Sequence, residues 1–181
     1  PKEEILARVQ SNPKKRFTYL KRQVTPAVAE YIKQLKLPGV YLKAESRRYY
    51  PTSEISAQLV GLTNIDDVGI EGIESTYNDW LTGTPTKHKV RKSRDGHVVE
   101  RLDMVQTGES SNDLVLSIDQ RIQQLAYREI KRATEINQAT SASIVVLDVH
   151  TGEVLAMANT PSYNPNSRDN LQSYRMRNRA L

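Results

Sequence analysis

The chain has 181 residues, of which 38% are hydrophobic and 26% charged, a balance that supports a packed core in one large domain or two small ones. It contains no cysteine, which excludes disulfides and thiolate metal sites, and no apolar run approaches the ~20 residues of a membrane-spanning helix. The formal net charge of +5 suits an anionic partner, but it does not distinguish nucleic acid, anionic lipid and acidic protein.

The first part of the chain is predicted to alternate short helices and extended segments. Apolar residues at helical spacing predict a helix over residues 3–10, and aromatic and basic residues in alternation predict a strand over residues 16–24. Thr25 followed by proline is typical of a helix start. Residues 40–50 are expected to be extended, and Ser53 to cap a short helix.

A helix, a hairpin and a linker are predicted next. The segment "EGIESTYNDWLTG" has an apolar stripe at helical spacing and ends at a glycine, so one amphipathic helix is expected there. Residues 87–102 are predicted to form two strands joined at Asp95 and Gly96, because Asp-Gly is a strong signal for a tight turn. Residues 104–111 are small and polar, and they are the best candidate for a linker.

Beyond the linker the pattern changes. Residues 113–118 are predicted to form a strand, and Asp119 to cap a long helix, while residues 142–159 predict a β-hairpin. The helix is expected to turn one face to the core, formed by Ile122, Leu125, Ala126, Ile130 and Ala133. The fold class is therefore predicted to be α+β, with a seam near residues 104–112.

Metal and phosphate sites are not expected. His88, His97 and His150 stand alone, and no histidine or carboxylate pair has ligand spacing. The glycines of "GIEGIE" each have a glutamate two residues later, which would repel phosphate. The sequence predicts neither a metal nor a cofactor.

Two short patterns match a serine-nucleophile motif. Ser11 and Lys14 fit Ser-x-x-Lys, and residues 110–112 fit Ser-x-Asn, but Lys-Thr-Gly is absent. Ser11 lies at the end of the first predicted helix, where Lys14 need not lie over it. No nucleophile, base and orienting group can be assembled, so this segment is expected to be inactive by itself. Catalysis through Ser11 and Lys14 stays open as an alternative.

A second alternative is nucleic-acid binding. Residues 14–22 and 47–51 combine basic and aromatic side chains, which in such proteins contact phosphates and stack on bases. Carboxylates follow closely, including Glu45 and Glu54, and they interrupt the positive field. The favoured interpretation is that these side chains cover neighbouring elements with their charged ends in water.

Four stretches together resemble the class B penicillin-binding proteins. "RRYYPTSEISAQLVG" is similar to their Arg-x-Tyr-Pro-x-Gly element, and "GIEGIESTYNDWLTG" to their Gly-Ile-Glu-Gly-x-Glu segment. "LVLSIDQRIQ" resembles the opening of their transpeptidase domain, and "LDVHTGEVLAMANTPSYNPN" the hairpin and loop that lead to its nucleophile. The matched motif residues, expected to act at an interdomain contact, are Arg48, Tyr50, Pro51, Gly69, Glu71, Gly72 and Glu74.

The resemblance implies a domain plan. Residues 1–108 would be a non-catalytic pedestal of short helices and hairpins, of the penicillin-binding-protein dimerisation type. Residues 109–181 would begin a serine transpeptidase domain of the β-lactamase-like fold. The similarity is strongest to the septal D,D-transpeptidases of Gram-negative bacteria. In that family a serine attacks peptidoglycan stem peptides, and β-lactams trap it; the serine is expected beyond Leu181, and the chain is expected to be a piece of a longer protein.

The resemblance also implies location and partners. The family acts on the periplasmic side of the inner membrane, held by an N-terminal helix, with other division proteins including the lipid-II polymerase; homodimerisation is a further option. The hairpin cations are the expected partner contacts: Arg91, Lys92, Arg94 and Arg101.

Three finer expectations concern particular residues. Glu71 and Glu74, expected in the first turn of their helix, would suit its positive end, and either could pair with Arg48. Ser53 stands where the family motif has glycine, which suggests a backbone that does not need a positive φ, or a looser motif. The last hairpin is expected to lack a complete core at Val145, Leu147, Leu155 and Met157.

Overall fold

The computed structural model describes residues 2–11, 17–84, 86–94, 98–167 and 171–181. The chain divides into two compact units, Pro1–Arg47 and Arg48–Leu181. Within the described ranges, no helix is both long enough and apolar enough to cross a lipid bilayer.

The first unit contains two helices, α1 (Lys2–Gln10) and α2 (Pro26–Gln34), which confirms both predicted helices. Thr25 precedes α2 in an extended conformation, but its side chain caps no backbone N–H. No strand forms in the described part of residues 16–24, so that strand prediction is wrong, and residues 40–50 form neither helix nor strand.

Side-chain contacts explain the alternating pattern of the first unit without a sheet. The Phe17 and Tyr19 rings meet edge to face at 4.7 Å, and the Arg22 guanidinium lies 5.0 Å from the centre of the Tyr19 ring. Arg22 Nε also donates to Glu45 Oε2 at 3.1 Å. The basic and aromatic residues are therefore engaged with each other and with a carboxylate.

The second unit opens with short elements packed closely together. They are a 3-10 turn at Ser53–Ile55, α3 (Ala57–Val60), β1 (Leu62–Thr63), β2 (Gly69–Glu71), α4 (Gly72–Thr76) and α5 (Asn78–Leu81). The single helix predicted over residues 71–83 is thus two helices, broken at Tyr77 with φ −108 and ψ 24. Asn78 contributes to the break because its Oδ1 accepts a hydrogen bond from Gly69 N at 2.9 Å rather than facing solvent.

A long antiparallel ribbon follows. It pairs β3 (Lys87–Lys92) with β4 (Val98–Gln106), which confirms the predicted hairpin, while its turn at Asp95 and Gly96 lies outside the described residues. The ribbon continues through Gln106, into the predicted linker of residues 104–111. The linker prediction is therefore wrong for residues 104–106, where Met104 pairs with His88 and Gln106 with Lys87, because strand pairing depends on the partner strand and not on local composition.

The C-terminal part contains α6 (Gln120–Ile136), the antiparallel pair β5 (Ala142–Leu147) and β6 (Val154–Thr160), and α7 (Ser173–Met176). Asp119 caps α6 as predicted, with Oδ1 accepting from the backbone N of Arg121 at 2.8 Å and of Ile122 at 3.1 Å. The strand predicted over residues 113–118 is absent. The segment contacts β6 near its C-terminal end, where the next residue, Asp119, donates from its backbone N to Leu155 O at 2.9 Å.

The main core lies between α6 and the β5–β6 hairpin. Its buried members are Ala126, Tyr127, Ile130, Ala156 and Ala158. The buried face of α6 is rotated from the predicted one, since Leu125 is 49% exposed and Ala133 is exposed. Gln123 and Tyr127 are buried in their place because the Gln123 side chain is hydrogen-bonded inside the protein.

The last hairpin is partly uncovered. Val145 and Leu147 are 41% and 55% exposed, in line with the expectation of an incomplete core, and Leu155 is half-buried. Met157 is 8% exposed, so the expectation was wrong for this residue. Asn178 covers it, with Nδ2 at 3.5 Å from the Met157 sulfur.

Ser53 occupies a left-handed backbone conformation with φ 47, so the suggestion that this position does not need a positive φ is wrong. A side chain in this region costs roughly 1–2 kcal/mol, which glycine avoids, although glycine also makes the unfolded chain more flexible. We therefore expect Ser53→Gly to raise the free energy of unfolding by about 0.5 kcal/mol. Urea unfolding measures this change in stability, and a lower stability of Ser53→Gly would contradict the claim that the Ser53 backbone is strained.

Candidate functional site

The site is built around an ion pair that the sequence suggested. Arg48 Nε and Nη2 donate to Glu74 Oε1 and Oε2 at 2.9 and 3.0 Å, a two-point contact. The Glu74 side chain is 8% exposed and that of Arg48 41%. The hydrogen bond from Arg48 to Glu74 raises the pKa of the guanidinium, against an opposing effect of burial. A largely buried carboxylate thus depends on one arginine for its charge balance.

Tyr50, two residues after Arg48, is held on three sides. Its hydroxyl accepts a hydrogen bond from Thr63 N at 2.9 Å. Its backbone N donates to Asn166 Oδ1 at 2.9 Å, and Asn166 Nδ2 donates back to Tyr50 O at 2.8 Å. The Asn166 amide therefore pairs with Tyr50 as a neighbouring strand would, and it joins positions 116 residues apart.

The glycines of the second motif allow a close backbone crossing. A Cβ on Gly69 would lie 1.9 Å from Glu74 O, and one on Gly72 would lie 2.7 Å from Leu59 O. Gly72 also has φ +59. Glu71 ends β2 and precedes α4 with an exposed side chain, so it is not in the first helical turn as expected. Of the two glutamates, Glu74 alone is seen paired with Arg48.

A second polar group lies under the same segment. Gln58 is 6% exposed, and its Nε2 donates to Pro161 O at 3.0 Å and to Arg175 O at 2.9 Å. Ser162 Oγ lies 3.0 Å from Gln58 Oε1 and 2.6 Å from Glu54 O. We call Gln58, Pro161, Ser162 and Arg175 the neck, because the chain leaves it at Pro161 and returns to it at Arg175.

A cleft of about 330 Å³ opens beside the ion pair. Pro51, the third residue of the first motif, lies in its wall. The lining is mainly apolar and comprises Arg48, Tyr49, Tyr50, Pro51, Thr52, Val60, Ile73, Glu74, Leu81, Leu114 and Leu116.

The cationic hairpin is separate from these contacts. Arg91 is exposed and pairs across the ribbon with Glu100, at 3.1 Å between Nη1 and Oε2. Arg94 is exposed, whereas the side chains of Lys92 and Arg101 lie outside the described residues. Because exposed pairs contribute little energy, Arg91 can exchange Glu100 for a partner's carboxylate at small cost.

The alternative nucleophile is occupied elsewhere. Ser11 Oγ donates to Arg8 O at 2.9 Å, at the end of α1, and Lys14 lies outside the described residues. Among the residues that the structure does describe, no group of three or more histidine, aspartate or glutamate side chains is placed to hold a metal ion.

Sequence reasoning missed the buried and half-buried polar side chains that join the two ends of this unit. They are Gln58, Gln123, Ser162 and Asn166. One signal was available for Gln123, which precedes Ala126, Tyr127 and Ile130 at spacings of three, four and seven on the buried face of α6. A polar residue at such a position must find hydrogen-bond partners inside the protein.

Burial raises the pKa of three tyrosines here, Tyr50, Tyr127 and Tyr163. Above pH 10 the unfolded chain releases these protons while the folded protein keeps them, so stability present at lower pH is lost as the pH rises. We expect Tyr127 and Tyr163 each to contribute a fall that approaches about 1.4 kcal/mol per pH unit above pH 10. Urea unfolding at pH 9–11 should give a shallower fall for Tyr163→Phe than for the exposed control Tyr49→Phe; equal slopes would contradict the assignment.

Two family models match the chain. Residues 1–116 match the penicillin-binding protein dimerisation domain, which is a description of a protein–protein association module. Residues 142–181 match the penicillin-binding protein transpeptidase domain. Arg48, Tyr50 and Gln58 fall in the first match, and Ser162 and Asn166 in the second, so the contacts described above join the two matched regions.

Curated relatives agree with the models. The chain is 51% identical over 181 residues to the peptidoglycan D,D-transpeptidase FtsI of Escherichia coli strain K12, covering 100% of this chain and 31% of that protein. It is 43% identical over 169 residues to the probable peptidoglycan D,D-transpeptidase PenA of Neisseria gonorrhoeae, covering 92% and 29%. The chain thus spans about a third of the length of these relatives.

Solved structures show the same fold. Penicillin Binding Protein 2X from Streptococcus thermophilus aligns with a TM-score of 0.60 at 20% identity, over 93% of this chain and 28% of that one, a likeness of fold alone. A peptidoglycan synthetase from Bifidobacterium adolescentis aligns with a TM-score of 0.58 at 26% identity, over 84% and 28%. The α+β class and the family resemblance are confirmed, and the chain belongs to the penicillin-binding protein family, of which it contains the dimerisation region and the start of the transpeptidase domain.

Proposed function

We propose that this chain forms part of a septal peptidoglycan D,D-transpeptidase, a protein that cross-links stem peptides during cell division. The observation that carries the proposal is the set of hydrogen bonds from Tyr50, Gln58 and their neighbours to Pro161, Ser162 and Asn166. They join the region that matches the dimerisation domain to the region that matches the transpeptidase. The relatives named D,D-transpeptidase support the reaction class.

In this proposal the chemistry belongs to the whole protein. A serine hydroxyl attacks the peptide bond of a D-Ala-D-Ala terminus, the terminal D-Ala leaves, and an amine of a neighbouring stem then displaces the serine from the acyl-enzyme. The present chain supplies support and orientation. Residues 1–108 act as the pedestal, and residues 109–181 begin the catalytic domain.

A penicillin-labelling experiment tests this division of roles. The 181-residue chain, incubated with a fluorescent penicillin, should remain unlabelled, whereas the longer protein that contains it should be labelled covalently. An unlabelled longer protein would contradict the proposed reaction. Labelling of the short chain that disappears on Ser11→Ala would instead support the alternative nucleophile.

The proposed location is the periplasmic side of the inner membrane, among division proteins that include the lipid-II polymerase. The hairpin is the proposed contact, because its cations are exposed or weakly paired where they are described. A double variant, Arg91→Glu with Arg94→Glu, should keep penicillin labelling of the longer protein but lose septal localisation. Arg132→Glu, an exposed cation on α6, is the matched control. Normal localisation of the double variant would contradict the partner role.

The nucleic-acid alternative has its own test. Binding of a labelled oligonucleotide at low salt, falling steeply as salt increases, would support it. We expect no such binding, since Arg22, a described cation of the first basic-aromatic stretch, is paired with Glu45 at 3.1 Å and lies over the Tyr19 ring, which leaves Lys21 as an exposed cation beside a neutralised one.

A further inference from the structure

The neck is closed by one side chain. Gln58 Nε2 donates both of its hydrogens to main-chain carbonyls, of Pro161 and of Arg175, which are far apart along the chain. A single nitrogen therefore fixes the distance between the point where the chain leaves β6 and the point where it returns in α7. The third polar contact, from Ser162 Oγ to Gln58 Oε1, fixes the rotation of the amide.

Other contacts in the neighbourhood come from the same short segment. Tyr163 OH donates to Ala57 O at 3.0 Å, and Ser162 Oγ, whose single hydrogen is shared between two acceptors, also lies 2.6 Å from Glu54 O. Residues 50–58 thus hold the chain after β6 through Gln58 and through groups that precede it in the sequence. Because these contacts are directional hydrogen bonds rather than loose apolar packing, they set a shape as well as a stability.

We propose that Gln58 is a positioning residue for transpeptidation, which acts from the dimerisation region by setting the width of the neck. The inference rests on the proposed function, and it deepens it by assigning a regulatory contact to that site. The chain that continues past Arg175 leaves the neck in a direction that Gln58 determines. A displacement of the pedestal segment would move both carbonyls together and change that direction.

Glutamine suits this position for a chemical reason. It offers two N–H donors and one acceptor at the end of a flexible stem, and all three are used here. Glutamate would lose both donors, and methionine would keep the approximate volume with none of the hydrogen bonds. Gln58→Met therefore removes the contact while changing the packing little.

The test uses the longer protein and a soluble penicillin. The acylation rate is measured at increasing penicillin concentration until it saturates, which gives the acylation rate constant and the apparent dissociation constant separately. Gln58→Met should lower the acylation rate constant about tenfold and leave the apparent dissociation constant within twofold, since misplacement acts on geometry at the reacting bond. Gln124→Met, at an exposed glutamine of α6, should change neither. Ile130→Val, in the core away from the neck, controls for general loss of stability.

Three outcomes distinguish the proposed function from the positioning role of Gln58. If the unmodified protein is not acylated, the proposed function fails. If it is acylated and Gln58→Met reacts at the same rate while folded, the positioning role fails and the proposed function stands. If Gln58→Met does not fold, Ser162→Ala removes the contact to Gln58 Oε1 with a smaller change, and it should lower the same rate constant and speed hydrogen exchange at Tyr163; no change in either would overturn the proposal.

Discussion

Gly61→Ala is expected to lower the free energy of unfolding by about 4 kcal/mol, near the upper end of single-substitution effects. Gly61 has φ +83, and a Cβ there would lie 1.8 Å from Glu71 O and 2.3 Å from Glu71 C. Both are backbone atoms of the strand paired with β1, so relief requires moving β2 and, with it, the start of α4. Urea unfolding of the 181-residue chain measures the loss.

Gly152→Ala is the matched control for that experiment. Gly152 has φ +76, almost the same conformation, but a Cβ there would meet no atom within 4 Å. Its expected cost is therefore the conformational one alone, about 1 kcal/mol. Equal losses for the two variants would show that backbone conformation, and not the crossing of Gly61 with Glu71, sets the cost.

The same crossing shows why part of the site could be predicted. Gly69, Gly72 and Glu74 stand close together in the sequence, and close backbone approach is a common reason for paired glycines. The ion pair of Glu74 with Arg48 was one of two suggested pairings. To choose between Glu71 and Glu74, one must know the residue at which the helix begins. A shift of that start by one residue changes which glutamate faces the interior.

Longer elements could be predicted because their signals are redundant. Helix α6 has a cap at Asp119 and a long apolar stripe, and the β5–β6 hairpin has a turn in which Asp148 Oδ1 accepts from His150 N at 2.7 Å. Residues 113–118 carry a strand-like pattern too, yet they meet β6 only at their end. Whether an apolar run pairs with a neighbour depends on tertiary contacts that a local pattern does not contain.

The neck and the Asn166 contact could not be predicted for a related reason. Their partners are main-chain atoms, which every residue has, at separations such as 116 positions between Tyr50 and Asn166. No local composition distinguishes an asparagine that will accept from a distant N–H from one that closes its own turn. Asn166 lies in the segment Asn-Pro-Asn, whose composition indicates only a turn.

Gln123 is the buried polar residue whose loss should cost most. Its Nε2 donates to Ile55 O at 2.8 Å and to Met157 O at 2.9 Å, and its Oε1 accepts from Met157 N at 2.8 Å. The side chain is 1% exposed, so water cannot replace these bonds without entering the core. Gln123→Leu keeps a similar volume but leaves three backbone groups without a partner.

We therefore expect Gln123→Leu to lower the free energy of unfolding by about 3 kcal/mol, since each buried group left unpaired costs roughly 1–3 kcal/mol and the added apolar burial recovers part of it. Gln124→Leu makes the same chemical change at the exposed neighbouring position of α6 and should stay within about 0.5 kcal/mol of the parent. Urea unfolding of both variants compares them directly. A stable Gln123→Leu would mean that α6 can rotate to bury the face the sequence first indicated, with Leu125 inward, and that the amide is not what selects the observed packing.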